Sequence, residues 1–167
     1  LEDAFARELN DVAQKLGMKG TNLVNASGWP DPNHYSTARD LSTLAIATIK
    51  NFPEFYPYYS EKNFVYNGIK QGNRNPLLYK PLGADGLKTG HTEAAGYGLT
   101  ASVKRGERRI IMVLNGLPSM KARAQESENL IDWSFREWEN YALFKQGETV
   151  QSAGVWLGDA KNVALQA

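Results

Sequence analysis

The chain has 167 residues, 42% of them hydrophobic, with 19 basic against 18 acidic side chains and a formal charge of +1. That is enough chain to bury a core of ordinary size for one domain. The balanced charge, with no basic run interleaved with aromatics, argues against a nucleic-acid surface, and the absence of cysteine rules out a disulfide framework or a thiolate metal site. No apolar stretch approaches the length needed to span a bilayer. Leu1 opens no charged and apolar leader, so the chain reads as carrying no secretion signal.

Glu2 to Leu16 reads as an amphipathic helix. Phe5, Leu9, Val12 and Leu16 recur at helical spacing, acids sit in the first turn, and Gly17 can close it. That stripe is expected to face the core. Met18 to Trp29 reads as a loop or short strand, and Trp29-Pro30-Asp31-Pro32-Asn33 as a proline-stiffened connection. A second helix begins near Ser36 or Thr37, either of which can cap it, with Asp40 favourable in its first turn. Arg39 and Asp40 are adjacent and so project from different faces. Asn51-Phe52-Pro53 stops the helix. The aromatic cluster Phe55, Tyr56, Tyr58 and Tyr59 then reads as a short helical segment packed as a satellite of the core. Phe64-Val65-Tyr66 and Gly68-Ile69-Lys70 suggest a small hairpin, and the asparagines of Asn73-Arg74-Asn75-Pro76 suggest turns.

Asp85-Gly86-Leu87-Lys88-Thr89-Gly90-His91-Thr92 is the stretch that carries chemistry. In an extended segment Lys88 and Gly90 share one face and Thr89 takes the other, unless a bulge or twist at Gly90 brings it round. Lys88 offers an anion a point charge, Thr89 a rotatable hydroxyl, and Gly90 leaves room for a ligand against the backbone. Gly96 to Val103, a turn at Lys104 to Glu107, and Ile110 to Leu114 follow as a hairpin rich in small and β-branched residues. The motif is therefore expected just before, or at the start of, a central strand. Pro118-Ser119 introduces the longest helix, about Met120 to Leu143, with Ala124, Ser127, Ile131, Phe135, Trp138 and Ala142 on one face. Lys145 to Glu148 breaks it, and Val155-Trp156-Leu157-Gly158 reads as the first strand of a further element. His34 and His91 lie far apart, no carboxylate group has a metal spacing, and no metal or cofactor is expected.

The motif, with Ala95-Gly96-Tyr97 after it, resembles the matching segment of the D-alanyl-D-alanine carboxypeptidases, the low-molecular-mass penicillin-binding proteins. Glu2 to Phe5, Leu16 to Met18, Ser36 to Asp40, Phe64 to Asn73 and Arg123 to Glu128 agree in order and spacing, so the resemblance runs to about residue 158. It implies an α+β fold, the C-terminal part of a penicillin-binding-protein/β-lactamase-like domain with an antiparallel sheet packed by helices. Residues 1–143 would belong to that domain and 144–167 to the start of a β-rich one. The family needs a serine nucleophile and lysine base in Ser-x-x-Lys, and a Ser-x-Asn element. No serine here is followed by lysine at the third position. Ser127-Glu128-Asn129 fits Ser-x-Asn by letters only, because it follows the motif where the family's element precedes it.

The resemblance further implies that Lys88, Thr89 and Gly90 bind the terminal carboxylate of a peptidoglycan pentapeptide or of a β-lactam. The backbone N–H of His91 would be an oxyanion donor, and Arg123 a second cation for the same carboxylate. The alternative for Arg123 is an exposed charge at a helix start. The implied activity is removal of the terminal D-alanine by a serine-type enzyme of the periplasm or cell envelope. This chain would supply the carboxylate-binding strand and be inactive alone, with the nucleophile in the N-terminal part of the domain and a membrane anchor beyond Ala167. A β-lactamase-like hydrolase and an inactive peptidoglycan-peptide binding module are the competing readings.

Overall fold

The computed structural model describes residues 1–167, which separate into two compact units, Leu1–Glu137 and Trp138–Ala167. In the first unit helix α1 (Glu2–Lys15) ends at Gly17, whose φ of +82° only glycine adopts without strain. Its buried residues are Ala6 and Ala13, while Phe5 and Val12 are exposed. Half of the apolar stripe expected to face the core therefore lies in solvent, Leu9 and Leu16 are half-buried, and the helix packs chiefly through its small residues. Asn10 ties the following loop to α1, donating to the Leu23 carbonyl at 2.6 Å and accepting from the Leu23 N–H at 2.8 Å.

Helix α2 (Ala38–Asn51) starts at Thr37, whose hydroxyl accepts from the Asp40 N–H at 3.1 Å. Asp40 does more than favour the helix dipole. It is buried, and its carboxylate accepts from the Gly20 N–H at 2.8 Å and the Thr21 hydroxyl at 2.7 Å. Beyond α2 come a short 3-10 turn (Tyr56–Ser60) and the hairpin of β1 (Asn63–Tyr66) and β2 (Ile69–Gly72). Asn67 and Gly68 both have positive φ, which suits a tight hairpin turn. Every residue of both strands is exposed.

A second 3-10 turn (Pro76–Tyr79) leads into an antiparallel sheet of β3 (Ala84–Thr92), β4 (Gly96–Arg105) and β5 (Arg108–Leu117), in the order β3-β4-β5. The motif is thus inside β3, and β3 is an edge. The central strand is β4, whose Leu99, Ala101 and Val103 are sealed from solvent. Helix α3 (Met120–Glu137) follows, with the Ser119 hydroxyl accepting from the Ala122 N–H at 3.0 Å. It is shorter than the expected Met120 to Leu143. Arg108 donates to the carbonyls of Ser134 at 2.6 Å and Phe135 at 3.2 Å, groups that the end of a helix leaves unpaired. The chain divides at this point, before Trp138.

Met112 and Ile111, neighbours on β5, belong to different apolar clusters, so the sheet is covered on both faces. Leu77, Leu99, Ala101, Val103, Met112 and Ile131 form the cluster under α3. Ala45, Tyr56 and Leu87 form the smaller one under α2. In the second unit β6 (Thr149–Gly154) pairs antiparallel with β7 (Asn162–Gln166). Val155 to Gly158 is the turn between them and not a strand: Val155 donates to the Lys161 carbonyl at 2.9 Å, and Leu157 has φ +59°.

Candidate active site

The alternation expected for the motif holds along β3. Lys88 and Gly90 are exposed and Thr89 is buried. Lys88 sits opposite Thr100 and Gly90 opposite Gly98, so these four residues share the α2 face of the sheet, whereas Thr89 pairs with buried Leu99. The ladder shifts register at Asp85, between Ala84 and Gly86, and not at Gly90, which is why Thr89 stays on its own face. A Cβ at Gly90 would meet nothing within 4 Å, so the backbone there is open to a ligand.

Two clefts meet at this strand. One of about 390 Å³ lies between the sheet and α2, lined by Leu41, Leu44, Lys88, Gly90, Thr100 and Asn115 among others. The other, about 280 Å³, is lined by Asn73, Arg74, Leu87, Lys88 and Thr89. Its wall is rigid because Asn73 and Asn75 are engaged. Asn73 donates to the Glu61 carbonyl at 3.0 Å, and fully buried Asn75 donates to the Gly86 carbonyl at 2.8 Å. These asparagines do form turns, and they also brace the motif strand.

Arg123 is only 6% exposed, so it is not a solvated charge at a helix start. One guanidinium N–H reaches the Arg74 carbonyl at 3.4 Å, while its Nε has no partner. Burial holds this guanidinium below its ordinary pKa; electrostatic attraction to Tyr97 opposes that shift and the charge of Arg74 adds to it, and the guanidinium lies 5.7 Å from the centre of the Tyr97 ring. The Tyr97 ring in turn packs against His91, tilted by 30° with ring centroids 3.8 Å apart. Arg123 thereby joins the outer cleft through Arg74 and the far end of β3 through Tyr97. Neither Lys88, Arg74 nor Arg123 is paired with a carboxylate. A buried, incompletely bonded cation next to Arg74, which lines the same cleft as Lys88, favours an anion from solution.

The start of β3 is held by charged groups that sequence reading passed over. Arg109 on β5 meets both carboxylate oxygens of Asp85 at 2.8 Å, and the Tyr56 hydroxyl donates to one of them at 2.8 Å. Arg109 also bonds the Ser102 hydroxyl. Its pKa is raised above the ordinary value, chiefly by the bond to Asp85. Burial pushes the Tyr56 phenol up to about 12, with Asp85 adding to the rise and the Ser102 hydrogen bond and Arg109 opposing it. Pairing of Tyr56 with Asp85, 29 residues apart, leaves no local signal. The Arg123 position did have one, since residues 123, 127 and 131 repeat at helical spacing and all three are buried.

Residues 1–118 match the family described as D-alanyl-D-alanine carboxypeptidase. The chain is 42% identical over 165 residues to D-alanyl-D-alanine carboxypeptidase DacA of Haemophilus influenzae, covering 98% of this chain and 42% of that protein. It is 41% identical over 162 residues to DacD of Escherichia coli, covering 96% of this chain and 42% of the relative. Among solved structures, penicillin binding protein 5 from H. influenzae superposes with a TM-score of 0.89 at 40% identity, over 99% of this chain and 49% of that one. Penicillin-binding protein D2 of Listeria monocytogenes in its ampicillin-bound form gives 0.73 at 34% identity, over 78% of this chain and 55% of that one. The chain spans less than half the length of the curated relatives it matches. It belongs to the D-alanyl-D-alanine carboxypeptidase family.

Proposed function

We propose that this chain carries the carboxylate-binding strand of a serine-type D-Ala-D-Ala carboxypeptidase that trims peptidoglycan stem peptides at the periplasmic face of the cell envelope. The observation that carries the reading is the buried, partly unpaired Arg123 beside the outer cleft that Lys88 and Thr89 line. A substrate carboxylate lying along β3 accepts from Lys88 and from the Thr89 hydroxyl, and draws on the field of Arg123. Gly90 lets the peptide backbone approach, and the N–H of His91 serves as one oxyanion donor. A β-lactam carboxylate takes the same place. The nucleophile and its lysine come from residues outside 1–167, and 144–167 begin a β-rich domain.

The discriminating substrate is one whose terminal carboxylate is replaced by an amide. A charge-assisted bond contributes roughly 1.5–3 kcal/mol, so in the full-length protein Lys88→Ala is expected to lower turnover of the acid about ten- to a hundredfold. The same change leaves the amide nearly untouched. If Lys88→Ala keeps the full preference for the acid, the carboxylate is bound elsewhere. A labelled penicillin incubated with residues 1–167 alone is expected to leave no covalent adduct by mass spectrometry, because no Ser-x-x-Lys is present. A stoichiometric adduct contradicts the division of labour.

A further inference from the structure

Asp85 is the extra residue of a β-bulge. Ala84 pairs with Val103 and Gly86 with Ser102, so nothing on β4 stands opposite it. Below the bulge the ladder runs without interruption through Lys88–Thr100, Thr89–Leu99 and Gly90–Gly98. The bulge therefore sets which side of the sheet each motif residue takes. Without it, Asp85 would pair with Ser102, Lys88 with Leu99, and Thr89 with Gly98. That one-residue slip turns the lysine towards a position 1% exposed and brings the threonine to the α2 face.

A bulged residue has lost its ladder bonds, so something else must hold it. Here the Asp85 carboxylate receives Arg109 on both oxygens and Tyr56 on one. Asn75 anchors the carbonyl of the next residue, Gly86. The Gly86–Leu87 peptide is cis. A Cβ at Gly86 would come within 2.6 Å of the Tyr56 hydroxyl, so the glycine lets that hydroxyl reach its partner. Anchors from the 3-10 turn, from β5 and from the Asn75 turn converge on two consecutive residues.

We infer that Asp85, held by Arg109 and Tyr56, is a positioning residue that locks the register of β3 and so keeps Lys88 and Gly90 on the α2 face of the sheet and Thr89 on the opposite one. Its effect on substrate acts through Lys88 and rests on the function proposed above; its effect on register does not. Residues 1–167 contain no cysteine, so in this chain one introduced thiol reports one position. With Asp85 in place, Gly90→Cys is labelled quickly by a thiol reagent and Thr89→Cys slowly. In Asp85→Ala the ratio of the two labelling rates is expected to fall at least tenfold while circular dichroism shows a folded chain. In the full-length protein the preference for the acid over the amide substrate narrows in the order Asp85→Ala, then Arg109→Gln, with Arg109→Lys close to the parent.

An unchanged labelling ratio in folded Asp85→Ala overturns the register lock. So does lower activity with the acid preference intact, which is what a merely structural role produces. If Asp85→Ala does not fold, Arg109→Gln, which keeps the Tyr56 bond, is judged by the same two readouts. If Lys88→Ala retains the acid preference, the carboxylate reading fails, and the labelling ratio still decides the register.

Discussion

The two faces of the three-stranded sheet are built by different means. Under α3, six side chains from the sheet, the helix and the Pro76–Tyr79 turn close an apolar cluster, each no more than 4% exposed. Under α2 the apolar cluster has only three buried members, Ala45, Tyr56 and Leu87, an ion pair stands at the margin, and a cleft of about 390 Å³ is left open. One strand serves both, because Thr89 faces Leu99 while Lys88 and Gly90 face the cleft. A ligand-binding face needs unpaired donors and empty space, both of which cost stability. The closed apolar cluster under α3 can supply the stability that the open α2 side lacks.

Ile131→Ala is the harshest way to test this division. The side chain is fully buried among Leu77, Val103 and Met112, and such truncations cost about 2–5 kcal/mol. Denaturant unfolding should show a loss in that range, and a loss under 1 kcal/mol would mean that the α3 face is not the scaffold.

On the α2 side Tyr56 gives the next largest effect. Its folded pKa of about 12 lies above the unfolded value of about 10, so its contribution to stability is complete below pH 10. That contribution fades as pH rises towards 12, where the folded state no longer holds the proton more tightly. Ultraviolet titration should show one tyrosine ionising late, and Tyr56→Phe should remove that component. Normal ionisation of all eight tyrosines would show that the α2 cluster admits water freely.

The smallest effect is expected at Thr37, the cap of α2. Thr37→Ala removes an acceptor for the Asp40 N–H and should cost about 1 kcal/mol in the same denaturant measurement. A cost above 3 kcal/mol would mean that the cap and the buried Asp40 network act as one unit.

Much of the sheet could be read from the sequence because its signals are local. The glycine-marked turn after Lys104 and the largely β-branched run Ile110 to Val113 specify β4 and β5 between Gly96 and Leu117. The motif strand was harder, since its edge position depends on pairing that no local pattern records. Asp40 shows the same limit: its place in the first turn of α2 marks it as a dipole partner, whereas most of its bonds go to Gly20 and Thr21. In α1 the apolar stripe was real, but periodicity says which residues share a face and not what covers them. Phe5 and Val12 are accordingly exposed while Ala6 and Ala13 carry the packing. At the site, Lys88 and Gly90 were legible from alternation alone. The clamp of Arg109, Tyr56 and Asp85 was not, because it joins three separate elements.

The closing of α3 by Arg108 has a mechanical side. That arginine belongs to the first residue of β5 and holds the carbonyls of Ser134 and Phe135, and together with Arg105 it lies over the Phe135 ring at 4.8 and 4.2 Å. Tension applied to the chain beyond Glu137 therefore does not simply unwind a free helix end. It passes first through two guanidinium contacts into the β4–β5 turn and loads the sheet ladder along its strands.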